Sequence, residues 1–186
     1  MRSESWQLLY TIQSILKKME IRPNIKPSLS RLDNLLEIAG KIFLAFLWGL
    51  ILYIFFKLPA VIPIHFNSTG QADGYGNKIS ILFLPVTATV IYFGLTQLNK
   101  HPHIFNYPVK ITVSNALRQY TLATRMLRFI KAAIMIIFSL IILFTYLTTI
   151  GAANGLGSWF LPLASGLLLI PTIVLISQSL IKSNAI

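Results

Sequence analysis

Apolar positions along the chain gather into four long runs, Ile38–Phe56, Ile79–Leu98, Phe129–Ile150 and Trp159–Ser179. Each is about twenty residues long, enough for a helix to cross a hydrocarbon core roughly 30 Å thick. The pattern predicts an all-α integral membrane protein with four transmembrane helices, at about 38–56, 79–98, 129–150 and 159–179. Pro85 and Gly94 in the second run, and Gly166 and Pro171 in the fourth, are compatible with membrane helices. There, neighbouring groups restore the interrupted backbone bonds.

The polar stretches between the runs differ from one another. Residues 57–78 contain LPAVIPIHFNSTGQADGYGNK, which holds two prolines, three glycines, a histidine, two asparagines and an aspartate. Pro59 and Pro63 favour extended backbone. Asn67–Gly70 reads as a turn, and Asp73-Gly74 as a hairpin-type turn. The stretch is expected to form a short hairpin-like cap between helices 1 and 2. The segment 99–128 reads as extended to about Lys110 and helical from about Ser114, taken as its N-cap. GAANGLGS makes the last connection, and Gly155, Gly157, Ala164 and Gly166 are small residues suited to close helix contact.

Ahead of the first span, Ser30 and Asp33 form a capping-box-like start for a helix running to Phe56. Glu37 and Lys41 stand four apart, in the order that favours a pair at the membrane boundary. Pro23 and Pro27 break any helix upstream. Leu8, Ile12, Ile15, Leu16 and Met19 recur at helical spacing, as in a helix lying on a membrane surface. The expected organisation is therefore an amphipathic segment and linker at 1–29 and a four-helix membrane domain at 30–186.

Composition supports a membrane protein. The chain is 55% hydrophobic and 11% charged, with a mean hydropathy of +0.70; soluble domains carry roughly a quarter charged residues. No cleavable signal peptide is expected, because the first apolar run begins so late. There is no cysteine, which excludes disulfide frameworks, thiolate metal sites and cysteine nucleophiles.

The net charge of +11 is distributed unevenly. Arg2, Lys17, Lys18, Arg22, Lys26 and Arg31 precede the first span, and Lys100, Lys110, Arg118, Arg125, Arg128 and Lys131 lie between the second and third. Lys57 and Lys78 only flank the cap, and Gly151–Ser158 has no charge. By the positive-inside rule both termini and segment 99–128 are expected in the cytoplasm, with the cap 57–78 extracytoplasmic. The basic excess then serves orientation and the lipid bilayer's anionic surface rather than nucleic acid.

Few chemistries remain. No carboxylate lies deep in a predicted span, with Glu37 at the edge of the first, and Lys41 and Lys131 are expected to snorkel to the interface. That disfavours ion-coupled transport. A catalytic zinc needs three ligands and a water. The cap offers only His65, Asp73 and, poorly, Asn67, while His101 and His103 belong to the other face. No metal or cofactor is expected. His65 is expected to bond Asp73 or a turn backbone and hold the cap in shape. Ser68 with His65 is a weak nucleophile–base pair. What remains is recognition: a rigid cap presenting His65, Phe66, Asn67, Asp73, Tyr75 and Lys78 as ligand-binding residues.

Leu58, Pro59, Ile62, Pro63, His65, Phe66, Asn67, Gly70, Asp73, Gly74 and Lys78 also fall on a motif, LP-x-x-[IV]-P-x-H-[FW]-[ND]-x-x-G-x-x-D-G-x-x-x-K. In it the chain resembles a bacterial membrane domain family of uncharacterised function that includes SdpI-type immunity proteins. The resemblance covers about residues 21–150, including FNYPVKIT beyond the second span. It implies a non-enzymatic recognition protein of immunity or signalling type in the bacterial inner membrane, binding a secreted peptide or protein at its outer loop. The alternatives are an accessory subunit packing against a membrane-protein partner, and an enzyme acting on lipid or peptide through His65 and Asp73.

Overall fold

A computed structural model describes residue 11 and residues 22–181 of the protein. Apart from residue 11, the amphipathic part of the expected segment 1–29 lies outside the described residues, as do the C-terminal residues from Lys182.

Helix α1 is Arg31–Phe55. Its start is the expected capping box: Ser30 Oγ accepts from Asp33 N at 3.2 Å, and Asp33 Oδ2 accepts from Ser30 N at 3.0 Å. The chain then forms an antiparallel ribbon of β1, Val61–Phe66, and β2, Ala72–Asn77. A 3-10 turn at Lys78–Leu82 leads into α2, Phe83–Leu98. After an irregular stretch, α3 runs unbroken over Ala116–Thr149, and α4 covers Phe160–Ile181. Four helical segments are long and apolar enough to span a membrane, the second counted over Lys78–Leu98.

α3 is the axis of the bundle and packs against α1, α2 and α4, while α1 also touches α2. At 34 residues it is about 50 Å long, well beyond the roughly 30 Å of hydrocarbon. The run from 116 to 128, expected to be helical, therefore continues into the third span as one rod longer than a bilayer core. The helix begins at Ala116 rather than at a Ser114 cap. Asn115 precedes it and spends its side chain on the loop, accepting from Thr112 N at 2.9 Å and donating to Lys110 O at 2.9 Å.

The main core joins Leu47, Ile51 and Ile54 of α1 to Ala88 and Tyr92 of α2 and Met135 and Ile142 of α3. Trp48 Nε1 donates to Thr89 Oγ1 at 3.0 Å, tying α1 to α2. Leu58 and Ile62 are buried in the same core, so the ribbon is rooted in the helices rather than carried on a free loop. Side chains such as Leu52, Val90 and Ile173 point outward from the bundle, as they do in helices whose surroundings are lipid.

Candidate functional site

The ribbon owes its shape to a few local devices. Its turn is at Asn67–Gly70: Asn67 Oδ1 accepts from Thr69 N, Thr69 Oγ1 and Gln71 N at 3.0, 2.7 and 3.0 Å. Gly70 completes it with φ +78°, a region open to glycine at little cost. Asp73-Gly74, expected as a second turn, lies instead within β2. The acceptor on Asn67 closes the loop earlier, and residues 72–77 are left to pair with β1.

The pairing is irregular. Pro63 faces Tyr75, His65 faces Gly74 and Phe66 faces Ala72, so Ile64 and Asp73 have no partners across the ladder. Such bulges re-aim side chains. Here they bring Asp73 Oδ1 to 2.5 Å from His65 Nδ1, as the residue types suggested. Gly74 makes room for this, since a Cβ there would lie 2.9 Å from His65 Cβ. Both side chains are exposed, 71% and 42%, so the pair shapes the surface and contributes about 1 kcal/mol at most.

Beneath β1 lies a groove of about 390 Å³, at the smaller end of the roughly 300–1,000 Å³ typical of ligand sites. Its roof is β1 from Ile62 to Phe66 with Asn67 of the turn, and its walls include Phe83 and Leu84 of α2 and Phe160 and Leu161 of α4. Ile141 and Thr145 of α3 form its floor. The lining is mainly apolar, with Ser80, His65, Asn67 and Thr145 as its polar points.

Of the six expected site residues, His65, Phe66 and Asn67 line this groove. Asp73 supports His65 from β2. Tyr75 is 62% exposed and does not line the groove. Lys78 is architectural: its Nζ donates to Leu58 O at 3.2 Å and lies 5.2 Å from the centre of the Phe55 ring. Asn67 is largely committed to its own turn. The groove's contact chemistry therefore rests on His65, Phe66 and the apolar walls.

The last connection completes the cap. Leu156 N donates to Gly70 O at 2.7 Å, and Leu156 is buried with Ile137 and Phe160. Gly155 and Gly157 adopt φ +103° and +79°. A Cβ on Gly70 would overlap the Gly157 backbone, and one on Gly155 would overlap Gly70 O. Gly155 and Gly157 clasp two loops together, where close contact between helices was expected of them.

A second polar centre, missed in the sequence, joins α1 to α3. Arg125 Nε and Nη2 donate to Asp33 Oδ1 and Oδ2 at 2.9 and 3.0 Å. Arg128 Nε donates to Glu37 Oε1 at 3.1 Å, with its Nη1 3.7 Å from Asp33. Lys131 Nζ donates to Glu37 Oε2 at 2.7 Å and Thr96 Oγ1 at 3.0 Å, and lies 4.7 Å from the Tyr92 ring centre. Lys131 is wholly buried rather than snorkelling. Lys41 is exposed, and Glu37 turns to α3 rather than to Lys41. Gly40 admits the Tyr92 ring and the Lys131 stem, each within 4 Å of where a Cβ would be. The signal was present as spacing: carboxylates four apart on α1, and cations three apart on α3, each set on one helix face.

At the same end, Tyr107 OH donates to Pro102 O at 2.8 Å, and the ring lies 5.6 Å from that of Tyr120. Burial pushes the Tyr107 phenol well above its usual range, and Tyr120 adds to the shift while Arg22 opposes it. Arg22 Nη1 donates to Phe105 O at 2.5 Å, strapping segment 22–30 across this loop. His101 and His103 lie beside it with ring centres 6.0 Å apart. Among the described residues, no group of three histidines, aspartates or glutamates is placed to hold a metal.

These features define a four-span helical membrane protein with a two-loop cap over a groove. Residues 42–89, from within α1 through the ribbon into α2, match a domain of unknown function, DUF1648. An uncharacterized protein of Archaeoglobus fulgidus is 32% identical over 94 residues, covering 46% of this chain and 51% of that protein. The chain thus spans about half the length of that relative. Both matches support a link to an uncharacterised domain family. No solved structure matches the chain.

Proposed function

We propose that the protein is a non-enzymatic recognition protein, of immunity or signalling type, that binds a peptide or protein ligand in the groove beneath β1. The observation that carries this reading is the groove itself. It is preformed, apolar and edged by His65 and Phe66, under a ribbon held by the helix core on one side and the glycine clasp on the other. Preorganisation of this kind lowers the ordering cost of binding. The apolar walls suit a hydrophobic side chain, and the imidazole offers its free nitrogen as a polar contact at the rim.

The charge distribution supports an orientation with the cap outside a bacterial inner membrane and the Arg125–Lys131 end in the cytoplasm. The motif that resembles SdpI-type immunity proteins supports a secreted ligand. A His–Asp pair is also part of hydrolytic triads, but among the described residues His65 makes one hydrogen bond, to Asp73, and no hydroxyl completes the set.

Affinity capture from native membranes with mass spectrometry tests the proposal. Wild type is expected to retain a peptide or protein that a His65→Ala, Phe66→Ala variant loses, with membrane insertion unchanged. Asn67 is left intact because its loss would break the turn. Equal retention by both proteins would move the function away from the groove and into the spans.

A further inference from the structure

The end of the bundle opposite the hairpin holds a second cavity, of about 310 Å³, between the loop at Tyr107 and the facing sides of α3 and α4. Its walls are mainly Leu122, Ala123 and Met126 of α3 and Leu175 and Ile176 of α4. We propose that this cavity holds an acyl chain of an anionic phospholipid, whose phosphate sits at Arg118.

The buried polar groups of the cavity demand nothing from an occupant, and Asn106, its other polar side chain, is exposed. Gln119 Nε2 donates to Ser179 O at 3.1 Å, and Ser179 Oγ donates to Gln119 Oε1 at 2.5 Å. Both residues are buried, so they close on each other and leave an apolar lining. A polar solute would lose its hydration there without replacement, whereas a hydrocarbon chain loses nothing. Ile176 of the cavity wall is itself exposed, as are Leu180 and Ile181 further along α4, apolar side chains of a helix apolar enough to span a membrane. The molecule available at such a surface is lipid.

Charge selects the kind of lipid. Leu122 also lines an adjoining recess with Arg118, Gln178 and Ile181. Arg118 donates to Gln178 O through Nη2, which fixes the guanidinium at the mouth. Its remaining N–H donors are available to a phosphate, and arginine binds phosphate in a planar fork. Among the described residues no carboxylate competes for it, since Asp33 and Glu37 are held by Arg125, Arg128 and Lys131 and Asp73 by His65.

The test is native mass spectrometry of the full chain in detergent, titrated with phosphatidylglycerol and, in parallel, with phosphatidylcholine. Wild type is expected to retain one phosphatidylglycerol per chain and to prefer it about fivefold, the attraction of one basic side chain for an anionic headgroup. Arg118→Gln is expected to abolish that preference while both lipids still bind. Ala123→Phe, which fills the cavity, is expected to lose both. An undiminished preference in Arg118→Gln, lipid retained by folded Ala123→Phe, or a dimer in place of the lipid adduct would each overturn the proposal. Arg118 lies at the cavity's edge, so its variant decides the question even if Ala123→Phe does not fold.

Discussion

Glu37→Gln is expected to destabilise the bundle by roughly 3–5 kcal/mol, the cost of removing one partner from a buried ion pair. Glu37 is the carboxylate that both Arg128 and Lys131 contact, and Lys131 has no exposure to solvent. The centre holds three cations, Arg125, Arg128 and Lys131, against two carboxylates, Asp33 and Glu37. Neutralising Glu37 leaves three against one. Lys131→Met leaves two against two and replaces a buried ammonium with an apolar chain of similar length, so it is expected to cost clearly less. Unfolding in detergent, followed by loss of helicity, measures both variants. Equal losses would mean that the centre is wetter and more loosely coupled than its geometry shows.

The second large effect is expected at the glycine clasp. Gly70→Ala faces about 1–2 kcal/mol of left-handed backbone strain, and its methyl overlaps the Gly157 backbone as well. Gly151→Ala supplies the control, because Gly151 has φ +74° but open space around its Cβ position. Both variants carry the backbone strain, and only the first should separate the two loops. Amide hydrogen exchange reads the difference at Leu156, whose N–H donates to Gly70 O. Protection there is expected to be lost in Gly70→Ala and kept in Gly151→Ala. Ligand capture should fall with it, since Gly70 and Leu156 also line the groove.

The spans were legible because each is a long apolar run that needs no partner to be recognised. The capping box at Ser30 and the ribbon at 61–77 were legible because local chemistry determines them. The His65–Asp73 contact followed from residue types, although the bulges that create it leave no trace in the alternation. The turn at Asn67–Gly70 was legible, whereas the second one expected at Asp73-Gly74 did not form because Asn67's side chain closes the loop first and leaves that dipeptide to the strand. The helix leading into the third span was legible from about Ser114, although its polar first turns gave no sign of what they pack against. In fact that stretch carries the cations that meet Asp33 and Glu37. The ionic centre itself depends on α1 lying against α3, which no local pattern reports. Likewise, only the docked loops show that Gly155 and Gly157 act on the hairpin, and only the folded cap shows the bonds that Asn67 and Lys78 make within it.

The proposed function requires that the groove beneath β1 receive a peptide at the outer face of the membrane. A photo-crosslinking amino acid placed at Phe66 in intact cells tests it most directly, with the same probe at Val113, an exposed position at the opposite end, as reference. The expected result is a discrete adduct at Phe66, absent at Val113, that shrinks when protease is added outside the cells. An adduct at Phe66 consisting of lipid alone, or one that external protease never reaches, would contradict it.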